Sequence, residues 1–223
     1  MQMVQAARAV VFDLDGTLLN TLPDIAHSMN LALADLGHAK HELSAYNTLV
    51  GEGLKRLAEL ALPPGLGNDP VVVESCIKRF RQHYAVECEE RSRPYPGIEA
   101  MLDELVKRDL PLAIISNKPH DFVVRIATNL LPRWRFDPLL GARAEVPKKP
   151  DPTALLEVAD ALSLPPSACL FVGDTGIDMA AAKAAAMVGV GVLWGFRDHD
   201  ELVEHGAVHV IDKPSELIEL AGA

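Results

Sequence analysis

A chain of 223 residues with 49% hydrophobic residues carries enough apolar surface for one large core, or a core with a smaller insertion. Its formal charge of −10 excludes the broad basic face of a nucleic-acid binder. The longest charge-free apolar run, Ala184 to Phe196, is shorter than the ~20 residues of a membrane span, and Gly189, Gly191 and Gly195 interrupt it.

The first β-rich run, Ala9–Phe12, ends in Asp13-Leu14-Asp15-Gly16-Thr17. From Leu19 to Arg93 no strand is predicted, only amphipathic stretches such as "IAHSMNLALADLG" and "GLKRLAELAL". A loop, "PPGLGNDP", precedes a helix running from Val71 towards Ala85, and the prolines of "RSRPYPG" read as a connector. Helix and strand then alternate. Helices are predicted over Gly97–Lys107, Pro119–Leu130, Thr153–Ala161, Asp178–Ala186 and Pro214–Leu220. Strands are predicted over Leu112–Ile115, Cys169–Val172, Val188–Leu193 and Val208–Ile211, with a weaker one near Pro138–Leu140.

Such alternation predicts an α/β fold, a Rossmann-like parallel sheet covered by helices. An all-helical cap over residues 19–93 is inserted into a core formed by residues 1–18 and 94–223. The connectors are expected near Leu19–Leu22 and Arg91–Pro96.

In open α/β sheets ligands bind at the carboxyl ends of the strands, and several strands here end in chemistry. Asp13 and Asp15 follow the first strand, Ser116-Asn117-Lys118 the second, and Gly173-Asp174-Thr175-Gly176-Ile177-Asp178 the run "CLFV". Lys148-Lys149-Pro150-Asp151-Pro152 occupies a loop ahead of that strand. Taken singly, each cluster is ordinary turn or helix-cap chemistry. Taken together, they bring carboxylates, hydroxyls and a lysine to one rim.

These motifs resemble the haloacid dehalogenase superfamily of phosphohydrolases: "DLDGT" (13–17), a strand ending in Ser116, Lys149 in "KKPDP", and "GDTGID" (173–178). Within it, "YPG", "ISNK" and "WGF" are most similar to bacterial phosphoglycolate phosphatases, which carry a helical cap after the first motif. The resemblance implies that Asp13 attacks phosphorus to form an aspartyl-phosphate. Asp15 then serves as general acid and base. It implies Mg²⁺ held by Asp13, the backbone carbonyl of Asp15 and Asp174, with Asp178 orienting a metal-bound water or Lys149. Lys149 and Ser116 would bind the transferring oxygens. Backbone groups near Gly16 and Asn117 assist, and Thr17 braces the loop. Lys148 is the rival of Lys149. Ala186 stands where the family commonly has Gly, at an expected helix C-terminus.

The implied substrate is a small phosphorylated metabolite, 2-phosphoglycolate first, with sugar phosphates, pyrophosphate or a β-phosphoglucomutase-like reaction as alternatives. A receiver-like signalling module also takes phosphate on an Asp, but needs neither Asp15 nor a cap. In the cap, Gly51 and Gly53 precede a helix bearing Lys55 and Arg56, an arrangement suited to binding a substrate anion. The eight histidines show no ligand spacing, and the charged run Glu87–Arg93 is expected to be solvated. Three scattered cysteines, Cys76, Cys88 and Cys169, suit a reducing compartment. With no signal-like segment in "MQMVQAARAVVFD", a cytoplasmic monomer or homodimer is expected.

Overall fold

The computed structural model describes residues 7–222; residues 1–6 and 223, parts of the expected core spans, lie outside the described residues. The chain begins with β1 (Ala9–Phe12), β2 (Leu19–Asn20), α1 (Leu22–Asp35), α2 (Tyr46–Leu49), α3 (Leu54–Ala61) and α4 (Pro70–Glu87). It continues through β3 (Arg93–Pro94), α5 (Ile98–Lys107), β4 (Leu112–Pro119), α6 (His120–Leu130), β5 (Leu139–Ala142) and α7 (Thr153–Ala161). The last elements are β6 (Cys169–Gly173), α8 (Gly176–Ala184), β7 (Val188–Val192), α9 (His199–Glu204), β8 (His209–Ile211) and α10 (Pro214–Leu220).

β1 is apolar at every position because both of its faces are covered. Side chains alternate across a strand, so Val10 and Phe12 join the core shared with α5, α6 and α10. Ala9 and Val11 face the opposite layer, against Ala154 and Leu155 of α7 and Ala181 of α8. Six strands form one parallel sheet in the order β5-β4-β1-β6-β7-β8. The chain builds outward from β1 through β4 to β5, then returns to place β6 on the other flank of β1. That reversal opens a crevice at the carboxyl ends of β1, β4 and β6, where such sheets bind ligands.

The expected α/β architecture is present, with differences at element ends. β4 continues past Ile115 to Pro119, so Ser116, Asn117 and Lys118 belong to the strand, with a register irregularity between Ile115 and Pro119. The six-residue α9 and the two-residue strands β2 and β3 are additional to the predicted elements. β2 and β3 are too short to show a period. They pair antiparallel, Leu19 with Pro94 and Asn20 with Arg93, and form the neck between the sheet and helices α1–α4.

A buried carboxylate fastens this neck. Asp24, in the first turn of α1, accepts from Ser92 N at 2.8 Å, Ser92 Oγ at 2.7 Å and Arg91 N at 3.0 Å. The charge is tolerated inside because these donors converge on it. The charged run after α4 is therefore not simply solvated, as expected from sequence. Arg91 Nη1 reaches Asp24 at 3.2 Å, and Glu89 accepts from Arg125 Nε at 2.5 Å and Asn129 Nδ2 at 2.8 Å on α6. Among the described residues no helix is long and apolar enough to cross a membrane.

Candidate active site

Asp13 leaves the end of β1 with its N–H donating to Val172 O of β6 at 2.9 Å. Its Oδ1 accepts from Lys149 Nζ at 2.8 Å, and among the described residues no donor reaches Oδ2. Lys149 divides its remaining protons between Asp178 Oδ1 at 2.7 Å and Ile115 O at 3.2 Å. Burial works against the charge of Lys149, but Asp13 and Asp178 outweigh it and hold its pKa above the ordinary lysine value. Lys148, the sequence rival, is exposed, whereas Lys149 is buried.

Asp178 is fixed as well. Thr175 caps α8, its Oγ1 accepting from Asp178 N at 3.3 Å, while Thr175 N and Oγ1 donate to Asp178 Oδ2 at 3.1 and 2.6 Å. One carboxylate oxygen thus closes the helix cap and the other holds the lysine.

Asp174 sits beneath the 13–17 loop. It accepts from Thr17 Oγ1 at 3.0 Å and from Phe196 N at 2.9 Å. Gly16 makes this approach possible. Its φ is +87°, and a Cβ there would lie 2.2 Å from Asp174 Oδ2. Trp194 Nε1 donates to Thr17 O at 2.9 Å, so the "WGF" segment braces the loop from outside.

Asp13, Asp174 and Asp178 each offer a carboxylate oxygen, all within 4.8 Å of one another. Burial, with opposition from Lys149, raises Asp13 to about 6. Burial, then the charges of Asp178 and Asp13, pushes Asp174 well above the usual carboxylate range. A buried all-oxygen set with more acid than base fits a hard divalent cation. The side chain of Asp15 stands apart from this cluster. It accepts from Thr21 Oγ1 at 2.6 Å and from Lys118 Nζ at 2.9 Å on each oxygen.

Ser116 lines the cleft beside Asp13, its Oγ accepting from Lys118 N at 3.3 Å. Asn117 binds through its side chain rather than only its backbone. Its Oδ1 accepts from Lys149 N at 2.9 Å, and its Nδ2 donates to Lys149 O at 3.0 Å and Gly51 O at 3.1 Å. It therefore positions the lysine and touches the helical segment at once.

The helical segment roofs a cleft of about 600 Å³, its open mouth included. Gly51 and Gly53 line it; Lys55 and Arg56 do not. The latter two lie on the outer face of α3, with Lys55 Nζ 3.8 Å from Glu59 and Arg56 paired to Glu52 at 3.9 Å and Glu59 at 3.3 Å. The helical period explains this correction, because Leu54 and Leu57 take the inward stripe and turn their polar neighbours out. Sequence reasoning passed over Lys118 and Tyr84. Lys118 was visible in "ISNK", but only the run of β4 to Pro119 brings it onto Asp15.

The family of known sequences described as haloacid dehalogenase-like hydrolases matches residues 7–186. The chain belongs to the haloacid dehalogenase-like hydrolase family. The phosphoglycolate phosphatase of Xylella fastidiosa (strain 9a5c) is 35% identical over 196 residues, 87% of this chain and 83% of that protein. The phosphoglycolate phosphatase of Pseudomonas fluorescens (strain Pf0-1) is 34% identical over 217 residues, 96% of this chain and 79% of its own. The crystal structure of a predicted phosphoglycolate phosphatase from Haemophilus somnus superposes with a TM-score of 0.89 at 27% identity, covering 96% of this chain and 97% of that one. A haloacid dehalogenase-like family protein from Streptococcus pneumoniae shares the fold, with a TM-score of 0.85 at 22% identity over 96% and 97% of the two chains. In this hydrolase the crevice described above, with its carboxylates, lysine and serine, is the candidate active site.

Proposed function

We propose that this phosphoric monoester hydrolase cleaves 2-phosphoglycolate to glycolate and phosphate, with residues 1–18 and 94–223 as catalytic core and 19–93 as cap. The observation that carries the mechanism is Asp13, buried, gripped on one oxygen by Lys149 and open on the other. Its free Oδ2 attacks phosphorus and the ester oxygen leaves, giving an aspartyl-phosphate on Asp13. Asp15 gives the leaving oxygen its proton, then takes one from the water that hydrolyses the intermediate. Asp13 and Asp15 both line the cleft, which supports both acids facing one substrate.

Lys149 and the Ser116 hydroxyl hold the transferring oxygens, where negative charge is concentrated. Asp13, Asp174 and Asp178 would hold Mg²⁺, with the backbone carbonyl of Asp15 alongside; when bound, the ion neutralises charge between carboxylate and phosphate. Thr17 and Phe196 hold Asp174 in place from two sides.

The cleft wall supports a small leaving group. Ile25, Leu57, Phe80 and Phe122 line it and offer nothing to hydrogen-bond. A sugar hydroxyl set against these four side chains would lack a partner, at a cost of about 1–3 kcal/mol. The buried, unpaired Cys76, Cys88 and Cys169 support a reducing cytoplasmic setting.

A panel of phosphomonoesters assayed with Mg²⁺ tests the substrate. The highest kcat/KM is expected for 2-phosphoglycolate. A sugar phosphate far ahead of it would overturn the substrate and leave the phosphatase chemistry standing.

A further inference from the structure

Lys118 is buried at 7% exposure and lies in the cleft beside Asp15, the expected proton donor to the leaving oxygen. Its Nζ stands 2.9 Å from both carboxylate oxygens. A general acid must come within about 2.6–3.2 Å of the oxygen it protonates. The leaving oxygen therefore lies within about 6 Å of Lys118 Nζ, near enough for a group attached to it to reach the ammonium.

Tyr84 of α4 closes the same corner. Its ring lies 4.8 Å from Lys118 Nζ. Phe80 stacks on it at 5.0 Å and Phe122 meets it edge-on at 4.9 Å, so the ring is held on both sides. Yet Tyr84, a cleft-lining residue at 1% exposure, has a buried hydroxyl with no hydrogen-bond partner among the described residues. A buried hydroxyl left unpaired costs free energy, and a ligand in the cleft it lines can supply the missing partner. Burial, then the charge of Asp15, keeps this phenol well above its ordinary pKa, so it is a donor at neutral pH.

We propose that Lys118 Nζ and Tyr84 Oη form an anion subsite that receives the carboxylate of the leaving group, making a phosphorylated hydroxy-acid the preferred substrate class. This rests on the phosphatase reading and names the residues that select within it. In 2-phosphoglycolate one carbon separates the ester oxygen from the carboxyl carbon. A substrate whose ester oxygen meets Asp15 thus reaches Lys118 with its carboxylate when the leaving group points towards α4. Ile25, Leu57, Phe80 and Phe122 are the apolar part of the same lining, and Lys118 and Tyr84 are the polar groups set among them. Lys55 and Arg56, which sequence alone favoured for this task, face outward.

The test compares kcat/KM for carboxylate esters and their neutral counterparts in the Mg²⁺-loaded, full-length enzyme. 2-Phosphoglycolate is matched with 2-hydroxyethyl phosphate, and 2-phospholactate with its alcohol analogue. Lys118→Met is expected to reduce the preference for carboxylate by roughly 10- to 100-fold, the size of one charged hydrogen bond. The milder Tyr84→Phe keeps the ring packing and is expected to reduce it by roughly 3- to 10-fold. A role confined to orienting Asp15 would slow each pair equally and leave the ratio unchanged; that result, with a wild type that prefers 2-phosphoglycolate, overturns the subsite alone. If the wild type instead prefers another phosphorylated hydroxy-acid and the variants erase that preference, the 2-phosphoglycolate assignment falls and the subsite stands. If no carboxylate ester outruns its neutral counterpart, both fall.

Discussion

Lys149 Nζ lies 2.8 Å from Asp13 Oδ1, an ion pair buried at the end of the central strand with the cleft directly above it. The same ammonium is 2.7 Å from Asp178, so one lysine compensates two acids. Lys149→Met is expected to lower kcat by about 10²–10³, the usual loss when a fixed charge at a reacting centre is removed. It also leaves buried carboxylates unpaired, at about 3–5 kcal/mol of stability near neutral pH. Steady-state kinetics and urea denaturation measure the two effects. A variant that turns over normally would contradict the role of Lys149.

The acid cluster predicts a linkage between metal, proton and stability. Without metal, burial holds Asp13 near 6 in the folded state, above its ordinary value of 3.8, and Asp174 is raised as well. The folded protein therefore binds more protons than the unfolded chain between these values. Stability from these groups is full below the unfolded pKa and is lost as pH rises through the folded one. Mg²⁺ competes with those protons, so its stabilising effect grows with pH. The rise in Tm on adding Mg²⁺ is expected to be larger at pH 8 than at pH 5, and to shrink in Asp174→Asn. An increment independent of pH would count against the cluster as the metal site.

The neck offers a test of stability remote from the chemistry. Asp24→Ala removes the acceptor of Ser92 N, Ser92 Oγ and Arg91 N, all held inside or at the edge of the protein. A loss of about 3–5 kcal/mol in urea unfolding is expected, with Asp24→Asn intermediate because its carbonyl still accepts. A cost below about 1 kcal/mol would show that the neck does not depend on this carboxylate.

Ala186 follows the C-terminus of α8 with a left-handed φ of 57°, a conformation that favours glycine. The residue is exposed, so its methyl contributes little packing. Ala186→Gly relieves about 1–2 kcal/mol of backbone strain and gives back about 0.5–1 kcal/mol in unfolded-chain entropy. A net gain near 0.5–1 kcal/mol by chemical denaturation, with kcat unchanged, is expected.

The parts of this molecule that repeat a local rule were legible in the sequence. Ala9–Phe12 announces a strand because all four residues are apolar, and Asp13, Ser116, Lys149 and Asp174 announce a site because each follows or precedes such a run. What escaped depends on long-range geometry. Lys118 reaches Asp15 because β4 persists through a register irregularity, a feature of pairing with β5 rather than of its own residues. Tyr84 meets the site from α4, 69 positions after Asp15 in the sequence, and a helical tyrosine there reads as core. Lys55 and Arg56 misled for the opposite reason. Two glycines ahead of a basic helix fit an anion site locally, yet the apolar stripe of α3 turns those cations away.

The most direct test of the account is to trap the phosphoryl group. Asp15→Asn, given Mg²⁺ and p-nitrophenyl phosphate, whose leaving group needs no protonation, forms the intermediate but lacks the base that clears it. Acid quench, proteolysis and mass spectrometry should find one phosphoryl group on Asp13, accumulating in a burst of nitrophenol that matches the enzyme concentration. Phosphoryl on another residue, or nitrophenol release with no burst and no adduct, would contradict Asp13 as the nucleophile.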